Sequence, residues 1–230
     1  MTANVQKVLN KIKNSSIFDE ELYFVGGTAL SYYLNHRISE DIDIVSASSL
    51  NHRVIILQML QLGAVQVKDA NITALRMAGL FPEEYMLKFI LYGVKIEFFQ
   101  ANRSIQKEIL SGATFEYFED SKLKILDLKS ISKLKIVALV MRKKSRDLFD
   151  FGSILKYGVF STNELIDLFL KIDKNINSME AIIEFIISKK ELKDDEAVYL
   201  SETEKINFTF TEIKEKVIRY CKEAKSLKHF

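Results

Sequence analysis

The fold of this chain is decided by the stretch Phe24-Val-Gly-Gly-Thr-Ala-Leu-Ser-Tyr-Tyr-Leu-Asn-His-Arg-Ile-Ser-Glu-Asp-Ile-Asp-Ile-Val45. The apolar run at residues 22–25 predicts a buried strand. Gly26 and Gly27 follow, and glycines allow both a tight turn and the close approach of a ligand to the backbone. Thr28 is suited to cap the helix predicted next, whose first N–H groups form a natural phosphate-binding site.

A pair of carboxylates ends the same stretch, in the segment Asp41-Ile-Asp43-Ile-Val. The alternation predicts a strand, and the two-residue period of a strand places Asp41 and Asp43 on one face. Neighbouring carboxylates repel each other unless a proton or a cation lies between them. Mg²⁺ prefers oxygen ligands and is often bound together with substrate phosphates. The phosphate-binding turn and the carboxylate pair together indicate nucleotide chemistry.

The motif Gly-Gly-Thr-Ala followed by His-Arg-x-Ser-x-Asp-x-Asp resembles the AbiEii/AbiGii-type nucleotidyltransferases. These are toxin-like members of the DNA polymerase β-type nucleotidyltransferase superfamily. The resemblance covers residues 24–45, about a tenth of the 230-residue chain. It implies a catalytic domain that binds Mg²⁺ and an NTP, and a role in toxin–antitoxin or abortive-infection (phage-defence) systems.

The composition is that of an ordinary globular protein, with 48% hydrophobic and 28% charged residues. The single cysteine, Cys221, excludes an internal disulfide framework and is typical of a reducing compartment. The beginning of the chain does not resemble a signal peptide, and no apolar run approaches the ~18 residues of a membrane-spanning helix. These observations predict a cytoplasmic protein without membrane association.

Two domains are predicted, a catalytic domain at residues 1–128 and an all-α helical bundle at residues 129–230. The first domain is expected to be α+β, because its strands and helices do not alternate as they do in a parallel α/β fold. Strands are predicted at 22–25, 41–45, 64–69, 72–78, 85–91 and 94–99, with helices at 4–14, after Thr28 and at 50–62. Helices of the second domain are predicted at 129–143, 146–157, 162–174, 178–190 and 208–226, with Ser161 and Glu164 as a capping box.

The candidate metal ligands are Asp41, Asp43 and Glu97. The resemblance implies two Mg²⁺ ions held by the aspartate pair and by a third carboxylate on a neighbouring strand, for which Glu97 in Val-Lys-Ile-Glu-Phe-Phe is the candidate. Many relatives have Asp at that position. The alternative interpretation of the aspartates is an exposed strand pair, and that of Glu97 is a solvent-facing position paired with Lys95.

The candidate nucleotide-binding residues in the first domain are Gly26, Gly27, Thr28, Arg37 and Ser39. The glycines and Thr28 are expected to cradle the triphosphate, although a plain strand-to-helix turn explains the same residues without a ligand.

The family's Arg-x-Ser element corresponds to Arg37 and Ser39. Two roles are open for Arg37, a direct phosphate contact or a salt bridge that presents the acidic pair Glu40-Asp41. His36 is expected to be structural.

A second cationic element occurs at residues 133–146, with six basic residues and no acidic one. It resembles the family's later motif, which implies that Lys135 binds phosphate, with Arg142 on the same helix face and Asp147 positioning the cations. A helix break at residues 144–145 would remove Arg146 from that face. The alternatives are an amphipathic helix with a solvated basic face, and an ordinary Arg146–Asp150 pair.

The predicted function is a Mg²⁺-dependent transfer of an NMP from an NTP to an acceptor, with release of pyrophosphate. The acceptor is expected to be an RNA such as tRNA, or a protein, and an antitoxin protein is the expected partner. The alternatives are a small-molecule nucleotidyltransferase of the antibiotic-modifying type and a non-catalytic nucleotide-binding or interaction module. The net charge of +2 permits RNA binding without requiring it.

Overall fold

The structure is a computed structural model that describes residues 1–68, 71–192, 198–199, 204 and 208–226. The chain packs into two compact units. The first consists of Met1–Tyr33 and Ser39–Asp127, and the second of Leu34–Ile38 with the described residues from Leu128 onward. A cut at residue 128 therefore does not separate the units, because Leu34–Ile38 packs with the second half. Independent folding of the two halves as domains stays a prediction.

The first unit is built on a mixed seven-stranded sheet, which confirms the α+β fold class. The strands are β1 (Tyr23–Val25), β2 (Ile42–Ser46), β3 (Val65–Val67), β4 (Met86–Leu91), β5 (Val94–Gln100), β6 (Phe115–Tyr117) and β7 (Lys124–Leu126). Their order is β3-β4-β5-β2-β1-β7-β6. The pairs β2–β5 and β1–β7 are parallel, and the other neighbours are antiparallel.

The first half also carries α1 (Ala3–Ile12), α2 (Gly26–Leu34), α3 (His52–Gln61), α4 (Ile72–Met77) and α5 (Ser104–Ser111). The strand predicted at residues 72–78 is wrong, because these residues form α4. The β-branched residues Ile72 and Thr73 favour a strand locally, but α4 is a short helix without buried residues, so no apolar period marks it. The sequence did not indicate α5, β6 or β7.

Buried apolar side chains hold β2 in the middle of the sheet. Ile42 and Ile44 have no exposed surface, and Phe24 of the neighbouring strand β1 is equally buried. The hydrophobic face of α1 contributes Val5 and Leu9 to the same unit's core. This burial fixes the register of β2, because a shift by one residue would turn its acidic face into the core.

The second unit is helical in its described residues. It contains α6 (Leu128–Met141), α7 (Ser145–Lys156), α8 (Thr162–Ile172), α9 (Met179–Ser188) and α10 (Phe210–Ser226), so all five predicted helices are confirmed. Its core includes Phe151, Phe169 and Val217. The capping box that begins α8 is also confirmed, since Ser161 accepts from the Glu164 backbone N–H and Glu164 accepts from the Ser161 backbone N–H. Within the described residues, no helix is long and apolar enough to span a membrane.

Candidate active site

A row of charged side chains crosses three strands of the first unit. Asp43 on β2 is the register partner of Glu97 on the parallel strand β5, and Glu97 is in turn the partner of Lys88 on β4. Asp41 immediately precedes β2, two residues before Asp43, on the face opposite to the buried Ile42. The structure therefore brings the three predicted carboxylates to one face of the sheet.

Lys95 lies between two of these carboxylates. Its Nζ atom is 3.3 Å from Asp41 Oδ2 and 3.5 Å from Glu97 Oε2. Lys88 Nζ is 3.4 Å from Glu97 Oε1. Partial burial lowers the pKa of Lys95, but the carboxylates of Asp41 and Glu97 outweigh this effect and raise the pKa above its ordinary value. The pairing of Glu97 with Lys95, which the sequence offered as an alternative, is thus present.

The arrangement fits a cation, since two carboxylate oxygens already converge on the single positive charge of Lys95. Hard oxygen donors around one charge are the ligand set that Mg²⁺ prefers. Within the described residues, however, no three His, Cys, Asp or Glu side chains are gathered closely enough to hold a metal ion. Metal binding at these carboxylates therefore stays a prediction.

Gly26 is required at the start of α2 because Asp43 packs against it. Val25 and Asp43 are register partners on β1 and β2, which brings the Asp43 side chain under the following turn. Gly26 has φ +81°, and a Cβ atom at this position would lie 2.0 Å from Asp43 Oδ2. The glycine thus keeps the beginning of the helix, for which phosphate binding is predicted, directly beside a candidate metal ligand.

Thr28 does not cap α2, so that prediction is wrong. The helix already begins at Gly26, and Thr28 lies fully buried in its first turn. Its hydroxyl instead donates a hydrogen bond to the backbone carbonyl of Asp41. This bond ties the beginning of α2 to the residue that precedes β2. Gly27 lies beside it in the first turn of α2, and Ser39 is buried in the same unit.

A second cluster of charges lies inside the second unit, around the buried carboxylate of Asp150. Arg37 binds it through Nε and Nη2, at 2.6 and 3.0 Å. Lys135 Nζ and His36 Nε2 lie 2.9 and 2.7 Å from its oxygens. Burial alone raises the pKa of Asp150, but Arg37 and Lys135 outweigh burial and hold that pKa well below its ordinary range. No pattern in the sequence predicts a role in the site for Asp150.

This cluster gives Arg37 a partner that neither of its two predicted roles included. The guanidinium binds a carboxylate 113 residues away in the chain. The structural role expected of His36 agrees with its buried contact to Asp150. The sequence offered Arg146 as an ordinary partner of Asp150, and nothing in local spacing connects Asp150 with Arg37.

The later motif is divided between two helices. Lys135 lies on α6, whereas Arg142 follows the end of α6 and α7 begins at Ser145, so Arg146 is not on the helix of Lys135. Arg142 binds the buried Asp147 through Nε and Nη2, at 2.5 and 2.8 Å. Lys135 Nζ is 4.0 Å from Asp147 Oδ1. Asp147 thus contacts both cations of the motif. Its role in nucleotide binding, and phosphate binding by Lys135 and Arg142, stay predictions.

A family comparison places the chain among known proteins. The family model described as nucleotidyl transferase AbiEii toxin, Type IV TA (toxin–antitoxin) system, matches residues 8–215. The match covers most of the chain, far beyond the motif at residues 24–45. The chain belongs to the AbiEii nucleotidyltransferase toxin family, and the resemblance stated from the sequence is confirmed.

Individual proteins are similar to this chain at low sequence identity. The protein aq_aa25 of Aquifex aeolicus (strain VF5) is 24% identical over 202 residues, which are 86% of this chain and 90% of that one. The crystal structure of JHP933 from Helicobacter pylori has a TM-score of 0.53 at 17% identity and covers 98% of this chain and 92% of its own. The nucleotidyltransferase toxin MenT4 of Mycobacterium tuberculosis has a TM-score of 0.52 at 12% identity, with 96% and 82% covered. These similarities extend the shared fold over both halves of the chain.

Proposed function

We propose that this protein transfers an NMP from an NTP to an acceptor hydroxyl, with Mg²⁺ held by Asp41, Asp43 and Glu97. The observation that carries the proposal is the register pairing of Asp43 with Glu97, directly beside the Gly26 turn. It sets candidate metal ligands and a candidate phosphate site side by side. Membership in a nucleotidyltransferase toxin family supports the same class of reaction.

In the proposed reaction, the acceptor hydroxyl loses its proton to solvent and its oxygen forms a bond to the α-phosphorus of the NTP. The bond from that phosphorus to the bridging oxygen of the β-phosphate breaks, and pyrophosphate leaves. Bound Mg²⁺, expected as two ions, would neutralise the triphosphate charge and favour the deprotonated acceptor oxygen. The N–H groups at the beginning of α2, near Gly26 and Gly27, are suited to bind phosphate oxygens. Thr28 holds the backbone at Asp41 through its hydroxyl and thereby orients that carboxylate.

Phosphate binding by the cations of the second unit is a separate part of the proposal. Arg142 is half exposed, so its guanidinium is accessible from solvent although it binds Asp147. Lys135 is 8% exposed and lies against Asp150, so a phosphate would have to exchange places with that carboxylate. Arg142→Ala is therefore expected to raise the KM for NTP, whereas Lys135→Ala is expected to reduce stability as well. Both effects are measured by NTP titration and urea denaturation.

The test of the reaction is transfer of label from each of the four α-³²P NTPs, with Mg²⁺, to total RNA, total protein and small-molecule extracts. We expect label in the RNA or the protein fraction with the wild type and none with the Asp41→Ala/Asp43→Ala variant. Label confined to the small-molecule fraction would favour the antibiotic-modifying type of transferase. Binding of Mg²⁺–NTP without transfer to any fraction would favour the non-catalytic module, and absence of binding would overturn the proposal.

We also propose a neutralising antitoxin protein as a partner, because the family model describes a toxin of a toxin–antitoxin system. Expression of the wild-type chain in a bacterial host is then expected to arrest growth. The Asp41→Ala/Asp43→Ala variant, expressed to the same level, is expected not to. Equal arrest by both would contradict a toxicity that depends on the transfer reaction.

A further inference from the structure

The acidic face of the sheet has a built-in positive charge at the point where a metal ion would bind. The offset that pairs Ile42 with Ile96 and Asp43 with Glu97 continues by one residue to bring Asp41 opposite Lys95. Lys95 and Glu97 are two residues apart on β5 and therefore lie on the same face. The Lys95 ammonium touches one oxygen of each neighbouring carboxylate, Asp41 Oδ2 and Glu97 Oε2.

These contacts differ from those of the other lysine on the same face. Among the described residues, the ion-pair partner of Lys88 is Glu97, through Oε1, at the far end of the row. The two lysine side chains have similar exposure, 40% for Lys95 and 45% for Lys88. Position, and not burial or charge, distinguishes them, because only Lys95 lies between two candidate ligands.

A metal ion and the Lys95 ammonium cannot occupy this place together. Both would bind the same oxygens, and two cations within contact distance repel each other. Without Lys95, the metal-free protein would keep the Asp41 and Glu97 carboxylates near each other with no ammonium between them, which raises the energy of that state. Lys88 contacts Glu97 from the other side and would not separate the two carboxylates.

We propose that Lys95 is an internal competitor of the divalent cation. It holds Asp41 and Glu97 together in the metal-free protein and sets the metal concentration at which the site loads. This inference rests on the proposed function, because it needs a metal site at these carboxylates. Lys95 is thereby a positioning residue and a determinant of the metal requirement, distinct from the ligands themselves.

The test measures binding of Mn²⁺ alone, from the loss of the electron paramagnetic resonance signal of unbound Mn²⁺, at fixed ionic strength. It uses the full chain as wild type, Lys95→Met, Lys95→Gln and Lys88→Met. The variant Asp43→Asn, which lacks a candidate ligand, measures Mn²⁺ binding at other places on the protein. Removing one positive charge beside a divalent ion is expected to lower the Kd of Lys95→Met by about tenfold. Lys95→Gln is expected to do the same, and Lys88→Met is expected to lower it by less than about threefold, because its charge lies farther from Asp41.

A second readout is the melting temperature in EDTA. Lys95→Met is expected to melt below the wild type without metal and to regain that loss when Mn²⁺ is added. Equal Kd values for wild type and Lys95→Met, or the same gain in Lys88→Met as in Lys95→Met, would overturn the inference while leaving the proposed function intact. Mn²⁺ binding no stronger in wild type and Lys95→Met than in Asp43→Asn would overturn the metal site itself, and the inference with it.

Discussion

At the scale of single residues, Asp150 is expected to matter most for stability. It lies fully buried between Arg37, Lys135 and His36. Asp150→Asn keeps the shape of the side chain but leaves buried cations without their counter-charge. We expect it to lower the free energy of unfolding by about 3–5 kcal/mol, measured by urea denaturation. The control Asp167→Asn, at an exposed position of α8, should change it by less than about 0.5 kcal/mol. Similar losses in both variants would contradict the role given to Asp150.

The lowered pKa of Asp150 predicts how this stabilisation depends on pH. The ordinary aspartate value of 3.8 applies to the unfolded chain, whereas the folded pKa lies well below it. Between these two values the unfolded state binds more protons, so the stabilisation is complete above about pH 5 and is lost as the pH falls through the folded pKa. The difference in unfolding free energy between wild type and Asp150→Asn should therefore be constant from neutral pH to about pH 5 and decrease below it. A difference that increases on acidification would exclude this explanation.

A substitution at Gly26 tests the close packing of this turn against Asp43 without changing a carboxylate. Gly26→Ala places a Cβ atom 2.0 Å from Asp43 Oδ2, at φ +81°. Gly63→Ala is the matched control, because Gly63 has φ +88° and nothing within 4 Å of an added Cβ. Both variants should lose about 1–2 kcal/mol of stability from the left-handed backbone conformation. Only Gly26→Ala should also lose label transfer and Mn²⁺ binding, and equal loss in Gly63→Ala would contradict this assignment.

At the scale of elements, local sequence patterns predicted the helices and strands that are long or have a strong apolar period. The five helices of the second unit have sustained apolar periods, and their positions follow from the sequence. The three-residue strands β6 and β7 are too short to show a period of two, and Phe115 and Tyr117 of β6 are exposed. Helix α4 has neither buried residues nor an apolar stripe, so its sequence reads as a strand.

In the candidate site too, contacts between residues close in sequence were predicted, and contacts between distant residues were not. Asp41, Asp43 and the Gly26 turn are neighbours in sequence. The pairing of Glu97 with Asp43 follows once the strand of Glu97 is placed beside that of Asp43. The bond between Arg37 and Asp150 joins residues 113 positions apart. Sequence spacing instead suggested Arg146 as the partner of Asp150. Long-range ion pairs depend on how the elements pack, and a single sequence does not encode that in its periods.

The capping box of α8 gives a test at the scale of an element. Ser161 accepts from the Glu164 backbone N–H, so Ser161→Ala removes an acceptor from an otherwise unsatisfied donor. We expect a loss of about 1 kcal/mol in the free energy of unfolding, measured by urea denaturation. Ser161→Gly is the comparison and should lose only a few tenths of a kcal/mol, roughly, because glycine leaves these groups open to water. Equal losses would mean that the cap does not stabilise α8.

At the scale of the whole molecule, the chain passes from one unit to the other three times. Residues Leu34–Ile38 leave the first unit, pack with the second and return. Within the second unit, the Leu34 carbonyl accepts from the Tyr157 hydroxyl at 2.9 Å, and the Ile38 N–H donates to the Tyr199 carbonyl at 2.7 Å. Together with Arg37, these contacts make a five-residue segment of the first half part of the second unit. The second half of the chain is therefore incomplete without it.

This connectivity predicts the behaviour of a split protein. A fragment of residues 128–230 alone lacks Arg37, so the buried Asp150 loses its bidentate partner and keeps Lys135. We expect the urea midpoint of the 128–230 fragment to be lower alone than in a mixture with the 1–127 fragment. The 1–127 fragment supplies Leu34–Ile38 as a separate chain. Introducing Arg37→Ala into the 1–127 fragment should weaken this assembly by roughly 100-fold or more, measured as the Kd between the fragments, because it leaves a buried charge cluster without its bidentate partner. An unfolding midpoint of the 128–230 fragment that does not change when residues 1–127 are added would instead mean that the second half folds without this segment.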